Sequence, residues 1–357
     1  KFVEKEIQLP ELIQQLPVET IQDADFFPYV DKASIIYIAN GLLEQKEDYD
    51  DYIELINTRR TKHFYDEFEH IYDALFYVVK MSAFRKKYSY GIPTGPAIDI
   101  YKAYVEDYYQ MDYYYRKFYV LFDKKESELL LKLKQLVENL YVNWYLGELS
   151  ANWSSAVRQD MTNDWSLPGV RNQQSFYQSY IRSHIDKNER AFVIISDAMR
   201  YEIAKELQEE ITPELLGDAE LETMLSVVPS VTKLGMAALL PHREIDIDEK
   251  GNVLVNGQST KGIENRRKVL EHYSEDSIAI HYKDILNKNK AERREIFKGK
   301  KLIYIYHDTI DAVGDNADTE LYTFNAAEET IEQLVDLVRI IRNDLSGTHI
   351  YITSDHG

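Results

Sequence analysis

The sequence predicts two architectures in series: an all-helical module, then an α/β domain with a mostly parallel sheet and a hairpin insertion. Three observations carry that expectation. Up to about residue 159, apolar and aromatic side chains recur at spacings of three and four, as in amphipathic helices. Beyond residue 190, short unbroken apolar runs alternate with helical stretches, the pattern of a parallel sheet covered on both faces. Between the two, Asn163, Asp164, Pro168 and Gly169 gather turn formers within 161–171. The expected division is a helical accessory module over 1–160, a linker and helix over 161–190, and the α/β domain over 191–357.

Within the helical module, residues 66–81 and 98–122 each read as one helix. In the second, Ile100, Tyr104, Tyr108, Met111, Tyr115, Phe118 and Phe122 share a stripe, with Lys102, Glu106, Asp112 and Lys117 elsewhere. A third helix over 126–146 uses Leu129, Leu130, Leu133, Leu136, Val137 and Leu140, and Gly91 to Pro96 break the chain before the second. Tyrosine is enriched at interfaces, yet the simplest reading of the stripe is a helical core whose hydroxyls reach water. A helix over 172–185 then leads to strands expected at 191–195, 222–228, 277–281, 302–306 and 349–353. Helices are expected between them at 200–210, 233–240, 262–272 and 326–344. The Asp-Glu-Lys-Gly-Asn centre of 245–258, flanked by Ile-Asp-Ile and Val-Leu-Val, reads as the hairpin insertion.

Composition narrows the function. The 42 Lys+Arg against 61 Asp+Glu leave a formal charge of −19, which disfavours general adhesion to DNA or anionic lipid while leaving room for a local basic groove. No apolar run approaches the roughly 18–20 residues that cross a bilayer. The absence of cysteine excludes a disulfide scaffold, a zinc finger and a thiol nucleophile. The chain opens at Lys1 without a visible signal peptide and stops at Gly357 inside a motif, so it reads as a fragment of a longer chain.

Ligands of open α/β sheets bind beyond the carboxyl ends of the strands, and four expected strand ends carry suitable groups. Asp197 follows the first run, and Pro229-Ser230-Val231-Thr232 follows the second and opens an apolar helix. His307, Asp308, Asp311, Gly314 and Asp315 follow the fourth, and Ser354-Asp355-His356-Gly357 the last. A single Asp after a strand commonly caps the next helix. Carboxylates and an imidazole at several ends together are the ligand types for Zn²⁺, Mn²⁺ or Mg²⁺. Converging carboxylates repel one another without a cation, and a paired-metal site both neutralises them and clamps phosphate. Thr232 at a helix N-terminus sits where free N–H groups attract an anion, and a hydroxyl there can attack phosphorus. Its competing role is to cap the helix, as Ser230 could also do.

The segments AFVIISDAMRYE (191–202), VPSVTKLGMAALLP (228–241), YIYHDTIDAVGD (304–315) and YITSDHG (351–357) resemble the PglZ family. That family is the phosphatase-like component of bacteriophage-exclusion (BREX) defence, within the alkaline phosphatase superfamily. The resemblance covers about 172–357 and is specific because four motifs occur in order. The helical half suits the long BREX type 1 members less diagnostically. The resemblance implies an alkaline-phosphatase-like α/β domain, incomplete at its C-terminus, that holds two divalent ions: Zn²⁺, with Mn²⁺ or Mg²⁺ as alternatives. It implies that Asp197 is the first-strand ligand, and that Thr232 is both ligand and phosphorylated nucleophile. It further implies that Asp355 and His356 complete the shell of the same metal, and that Asp311 and Asp315 bind the second. Asp315 stands where the superfamily usually has His, an oxygen-rich departure that favours Mn²⁺ or Mg²⁺. The second metal's remaining ligand is expected beyond Gly357.

Around these groups, His307 and Asp308 flank the site, either behind the ligands or as ligands themselves, and Arg200 either reaches substrate phosphate or pairs with Glu202. The basic run 288–301 is interrupted by Glu292 and Glu295 and reads as a solvated helical face. His63, His70 and His184 have no carboxylate–His constellation around them and read as structural. The leading expectation is a two-metal phosphoesterase of the bacterial cytoplasm, a phosphodiesterase or phosphatase, in anti-phage defence. Its partners would be other BREX proteins bound through the helical module, with direct DNA contact left open and no membrane. The alternative is a catalytically weak or inactive scaffold or regulatory subunit built on a vestigial phosphatase domain.

Overall fold

A computed structural model of the chain describes residues 16–124, 127–215, 218–314 and 322–357. The chain divides into two compact units, Lys1–Thr162 and Asn163–Gly357.

The first unit is helical, with no strand among its described residues. Its longest helix, Tyr65–Lys87, buries Tyr72, Ala74, Leu75, Val78, Val79 and Met81 along one side. Ile100, Tyr108, Met111, Phe118 and Phe122 are buried as the stripe predicts. Two expected helices are nevertheless not continuous. A π-helical segment, Tyr104–Tyr108, joins Ala97–Ala103 to Tyr109–Lys124, and a second, Asn139–Leu146, joins Glu128–Glu138 to Gly147–Asp160. A π turn shifts carbonyls out of the ordinary helical ladder. The Tyr145 hydroxyl, from the second segment, donates to the Tyr108 carbonyl of the first at 2.9 Å.

The tyrosine hydroxyls also do something other than reach water: many meet carboxylates. Tyr72 donates to Asp31 at 2.9 Å, Tyr65 to Asp73 at 3.0 Å, and Tyr104 and Tyr141 to the two oxygens of Asp112 at 2.6 and 2.8 Å. Tyr115 and Tyr119 both donate to Glu138. Asp31 also accepts a two-pronged bond from Arg59, at 2.8 and 2.7 Å, with both side chains fully buried. The remaining Arg59 nitrogen donates to the carbonyls of Gln22 and Ala24 at 2.9 and 2.7 Å, so the buried pair is fully satisfied.

The second unit is built on four parallel strands in the order β7-β8-β2-β9, where β2 is Ala191–Ser196, β7 Ser277–His281, β8 Leu302–His307 and β9 His349–Thr353. Alternation along β2 explains its unbroken apolar run. Ala191, Val193 and Ile195 enter one core with the helices Thr232–Ala238 and Ile263–Tyr273. Phe192 and Ile194 enter the other, with Tyr201–Leu215 and Thr323–Leu345. The insertion is a hairpin of β4 (Ile245–Ile247) and β5 (Val253–Val255), extended by a third antiparallel strand, β6 (Gln258–Ser259). Part of the basic run after β7 is paired within the unit. Lys290 and Arg293 pair with Asp344 at 3.0 and 2.8 Å, and Lys301 pairs with Asp276 at 3.2 Å.

Two expected elements are corrected. The 222–228 strand shrinks to β3, Met224–Leu225, which pairs in parallel with β1, Arg171–Asn172, in a separate two-stranded sheet. The single helix expected over 172–185 becomes β1, a 3₁₀ turn Gln173–Ser175, a π segment Tyr177–Ile181 and the helix Arg182–Asp186. One side chain links both changes. Gln173 turns inward, and its Oε1 accepts the Val227 N–H at 3.2 Å, so a side chain replaces the strand ladder there.

Candidate functional site

Register aligns the strand ends. Ser196 of β2 lies level with His307 of β8, and Ile195 with Thr353 of β9. Asp197, Asp308 and the Ser354-Asp355-His356 turn therefore leave the sheet at one edge. Ala198 has φ 62°, a left-handed conformation that few residues with a Cβ adopt, and it turns the chain sharply after Asp197. Its N–H donates to Asp355 Oδ1 at 3.3 Å, while the Met199 N–H donates to Ser354 Oγ at 3.1 Å. The two strand ends are thus stitched together by backbone donors.

Thr232 reaches the same place from the Thr232–Ala238 helix. Val231 is the N-cap of that helix and no side-chain cap bond is made, so the capping role open to Ser230 and Thr232 is not adopted. Instead, Thr232 Oγ1 lies 3.0 Å from His356 Nε2, where either group can donate according to the imidazole tautomer. A Cβ on Gly235, one turn further on, would stand 2.1 Å from the Asp355 carbonyl oxygen, so only glycine lets the helix approach this closely. Gln173 locks the arrangement from a third direction. Its Nε2 donates to the Ser354 and Asp355 carbonyls at 3.0 and 2.8 Å while its Oε1 holds Val227.

The electrostatics at this point are unbalanced. Asp355 is fully buried and Asp197 is 6% exposed. His356 Nε2 lies 3.3 Å from Asp197 Oδ1 and 3.7 Å from Asp355 Oδ2, yet neither buried oxygen has a hydrogen-bond partner. Burial raises the Asp355 carboxyl well above the usual range, and the Asp197 charge raises it further. The close approach of Asp197 is the chief cause that raises His356, and the charges of Asp355 and Asp311 raise it further. One donor atom each from Asp197, Asp355 and His356 lies within 4.8 Å of the others. Two buried, unsatisfied carboxylate oxygens beside an imidazole nitrogen form the donor set of a divalent cation, so these residues fit one.

The other expected site residues fall in different places. Asp311 lies in the first turn of the helix Thr309–Gly314, near enough to act on His356 through its charge but outside the three-residue cluster. Asp315 lies outside the described residues. His307 is buried, bonded at Nε2 to Gln333 Oε1 at 2.8 Å and lying 3.3 Å from Ser196 Oγ, and burial lowers its pKa to about 4, which keeps it neutral near pH 7. Asp308 turns toward His281, 3.1 Å away. Arg200 is exposed, whereas Glu202 is buried. A cavity of about 370 Å³, lined by Arg190, Arg294 and Lys300 among others, lies near the amino-terminal ends of the strands rather than at this cluster.

Two positioning residues escape a sequence reading. Gly235 does leave a signal, because a glycine inside a short apolar helix is destabilising unless something approaches it closely. Gln173 leaves none. The reading of His184 as lacking a carboxylate–His constellation is also corrected: His184, Glu189 and His349 lie together, with one ligand atom each within 4.8 Å of the others.

Residues 176–357, about half of the chain, match the family model described as the BREX system PglZ alkaline phosphatase-like domain. The chain is 38% identical over 358 aligned residues, 99% of its length, to the alkaline phosphatase-like protein PglZ of Bacillus cereus (strain H3081.97). It is 37% identical over 341 residues, 92% of its length, to the alkaline phosphatase-like protein BrxZ of Escherichia coli O9:H4 (strain HS). The alignments span 42% and 39% of those two relatives, so the chain corresponds to about two fifths of their length. No helix among the described residues is long and apolar enough to cross a membrane. With the alkaline-phosphatase-like domain matched over half its length, and with strand-end carboxylates, an imidazole and a threonine gathered at one edge of a parallel sheet, this chain belongs to the BREX PglZ family.

Proposed function

We propose that the chain carries the centre of a metal-dependent phosphoesterase, a phosphodiesterase or phosphatase, that works in bacterial anti-phage defence. The observation supporting it is the approach of Thr232 Oγ1 to His356 Nε2, at 3.0 Å, beside two buried carboxylate oxygens without hydrogen-bond partners. Asp197, Asp355, His356 and Thr232 would hold one divalent cation, Zn²⁺ with Mn²⁺ or Mg²⁺ as alternatives, and Asp311 and Asp315 would hold a second. Bound cations supply Lewis acidity, lowering the pKa of a coordinated hydroxyl and neutralising phosphate charge. Thr232 supplies the nucleophile. Its Oγ1 bonds to phosphorus as the ester P–O bond breaks and the alcohol leaves with the proton. Water then attacks the phosphothreonine at phosphorus, the P–Oγ1 bond breaks, the phosphate product leaves and a proton from the water restores the Thr232 hydroxyl. Gln173, Gly235 and Ser354 contribute by position, fixing the turn that carries Asp355 and His356.

The test is hydrolysis of aryl phosphodiester and monoester substrates by the full-length protein supplied with Zn²⁺, Mn²⁺ or Mg²⁺. Thr232→Ala is expected to lower kcat/KM at least about a thousandfold, as loss of a nucleophile does elsewhere, with the melting temperature little changed. Equal rates in the two proteins would remove Thr232 from the mechanism.

A second role belongs to the helical module, taken as 1–160, with 161–190 leading into the domain over 191–357. Its Phe26 and Tyr90 rings are largely exposed, at 83% and 105%, and aromatic surface of this kind is favoured at protein interfaces. We assign to it the docking of other BREX proteins in the bacterial cytoplasm. Partner binding retained by an Asp197→Asn protein, together with an inactive wild type, would make the whole a scaffold or regulatory subunit rather than an enzyme.

A further inference from the structure

A second cluster lies at the opposite end of the sheet from Thr232. Glu189 sits in the turn just before β2, His349 is the first residue of β9, and His184 lies in the helix Arg182–Asp186. In the parallel sheet Ala191 is level with His349, so these residues share the amino-terminal edge of neighbouring strands. His184 Nδ1 is 2.8 Å from Glu189 Oε2, and His349 Nε2 is 3.4 Å from the same oxygen. The two imidazoles stack, with centroids 3.9 Å apart. We propose that His184, Glu189 and His349 form a Zn²⁺ site separate from the strand-end cluster, one that ties the helix before β2 to strand β9.

Geometry and ligand chemistry support the assignment. Bonds of about 2.0–2.1 Å from a tetrahedral zinc to its ligands set ligand–ligand edges of about 3.3 Å; the two histidine–carboxylate spacings here are 2.8 and 3.4 Å, and all three ligand atoms lie within 4.8 Å of one another. Two imidazoles with one carboxylate suit zinc and disfavour Mg²⁺ or Ca²⁺, which take oxygen ligands. The far nitrogen of His184 is also provided for, because Nε2 lies 2.7 Å from the Tyr351 hydroxyl. Metal-bound histidines commonly donate their other N–H to such an outer partner, which fixes tautomer and ring orientation. All three side chains keep partial access to solvent, which leaves a fourth position for water.

The experiment uses the full-length protein with the strand-end cluster disabled by Asp197→Asn and Asp355→Asn. Metal is stripped, and Zn²⁺ is titrated against a chromophoric chelator. The doubly substituted protein is expected to take up one more zinc than the same protein carrying His349→Ala, with affinity for that zinc falling by more than about 100-fold. Tyr351→Phe is expected to weaken it by 10–100-fold, as loss of an outer partner does. Glu189→Gln, which lies outside the strands, gives the same loss without touching β9. X-ray absorption at the zinc edge on the doubly substituted protein, taken as the difference from the same protein carrying His349→Ala, is expected to report two imidazoles on that ion. Equal zinc uptake with and without His349 and Glu189, or a zinc ion with fewer than two imidazoles, overturns the site. Failure of Thr232→Ala to abolish hydrolysis would leave it untouched.

Discussion

The two units treat buried acids in opposite ways. In the helical unit, Asp31 is fully buried but accepts bonds from Arg59 and Tyr72, and Asp73, Asp112 and Glu138 each accept tyrosine hydroxyls. In the α/β unit, Asp197 and Asp355 are as deeply buried, yet Asp197 Oδ1 and Asp355 Oδ2 have no hydrogen-bond partner. A buried charge is tolerated when paired and costly when not. The satisfied acids are therefore accommodated by their partners, and the unsatisfied ones hold a free energy that a bound cation would release.

The contrast breaks most sharply under substitution of one acid in each unit. Asp31→Ala strands Arg59 in the interior and is expected to cost about 3–5 kcal/mol in a denaturant titration. Asp355→Asn removes a repelled carboxylate and is expected to stabilise the metal-free protein by on the order of 1 kcal/mol. The sign of its pH dependence follows from the raised pKa of Asp355. The folded state holds that proton more tightly than the unfolded state, so wild-type stability falls as pH rises through the raised value. The advantage of Asn should thus appear near neutral pH and vanish below about pH 4. A loss of stability comparable to that of Asp31→Ala would end the distinction between the units.

Gly235→Ala comes next. Its Cβ would meet the Asp355 carbonyl, and overpacking of this kind costs about 1–3 kcal/mol. Hydrolysis should fall with stability, because the displaced group belongs to the turn carrying Asp355 and His356. Gln173→Ala leaves the Val227 N–H without its acceptor and two carbonyls without their donor, a loss of about 1–3 kcal/mol. Its kcat should fall more than its KM rises if Gln173 positions the site, and a purely structural role would leave kcat unchanged in the folded fraction.

The smallest effect under ordinary conditions is alkaline. Burial raises Tyr65 and Tyr115 to about 12, against about 10 in an unfolded chain. Their contribution is complete below pH 10 and is lost as pH rises through about 12. The helical unit should melt first in that window, with its unfolding coincident with tyrosinate absorbance. Earlier melting of the α/β unit would count against the tyrosine–carboxylate account.

Much of the α/β unit is legible because β2, β7 and β8 lie within the sheet's two cores, which writes continuous apolar runs into the chain. The helical stripe from Ile100 to Phe122 is legible for the same reason, although the π segment Tyr104–Tyr108 within it is not, since no local pattern marks it. The strand at 222–228 shortens to Met224–Leu225, with the Val227 N–H going to the Gln173 side chain instead of a strand neighbour, and no local pattern announces that. The Asp197, Thr232 and Asp355-His356 motifs can be read as chemistry, but their meeting depends on strand register and on the Gly235 approach.

By itself the sequence determined the helical and α/β halves, the residue types at the strand ends and the family they resemble, because burial periodicity and local motifs are properties of a single segment. Only the tertiary structure decided which acids are satisfied and which are left open, how Thr232 comes to face His356, and that His184 and His349 share Glu189. Those outcomes depend on residues far apart in the chain, and on pairings that exist only once the sheet has closed.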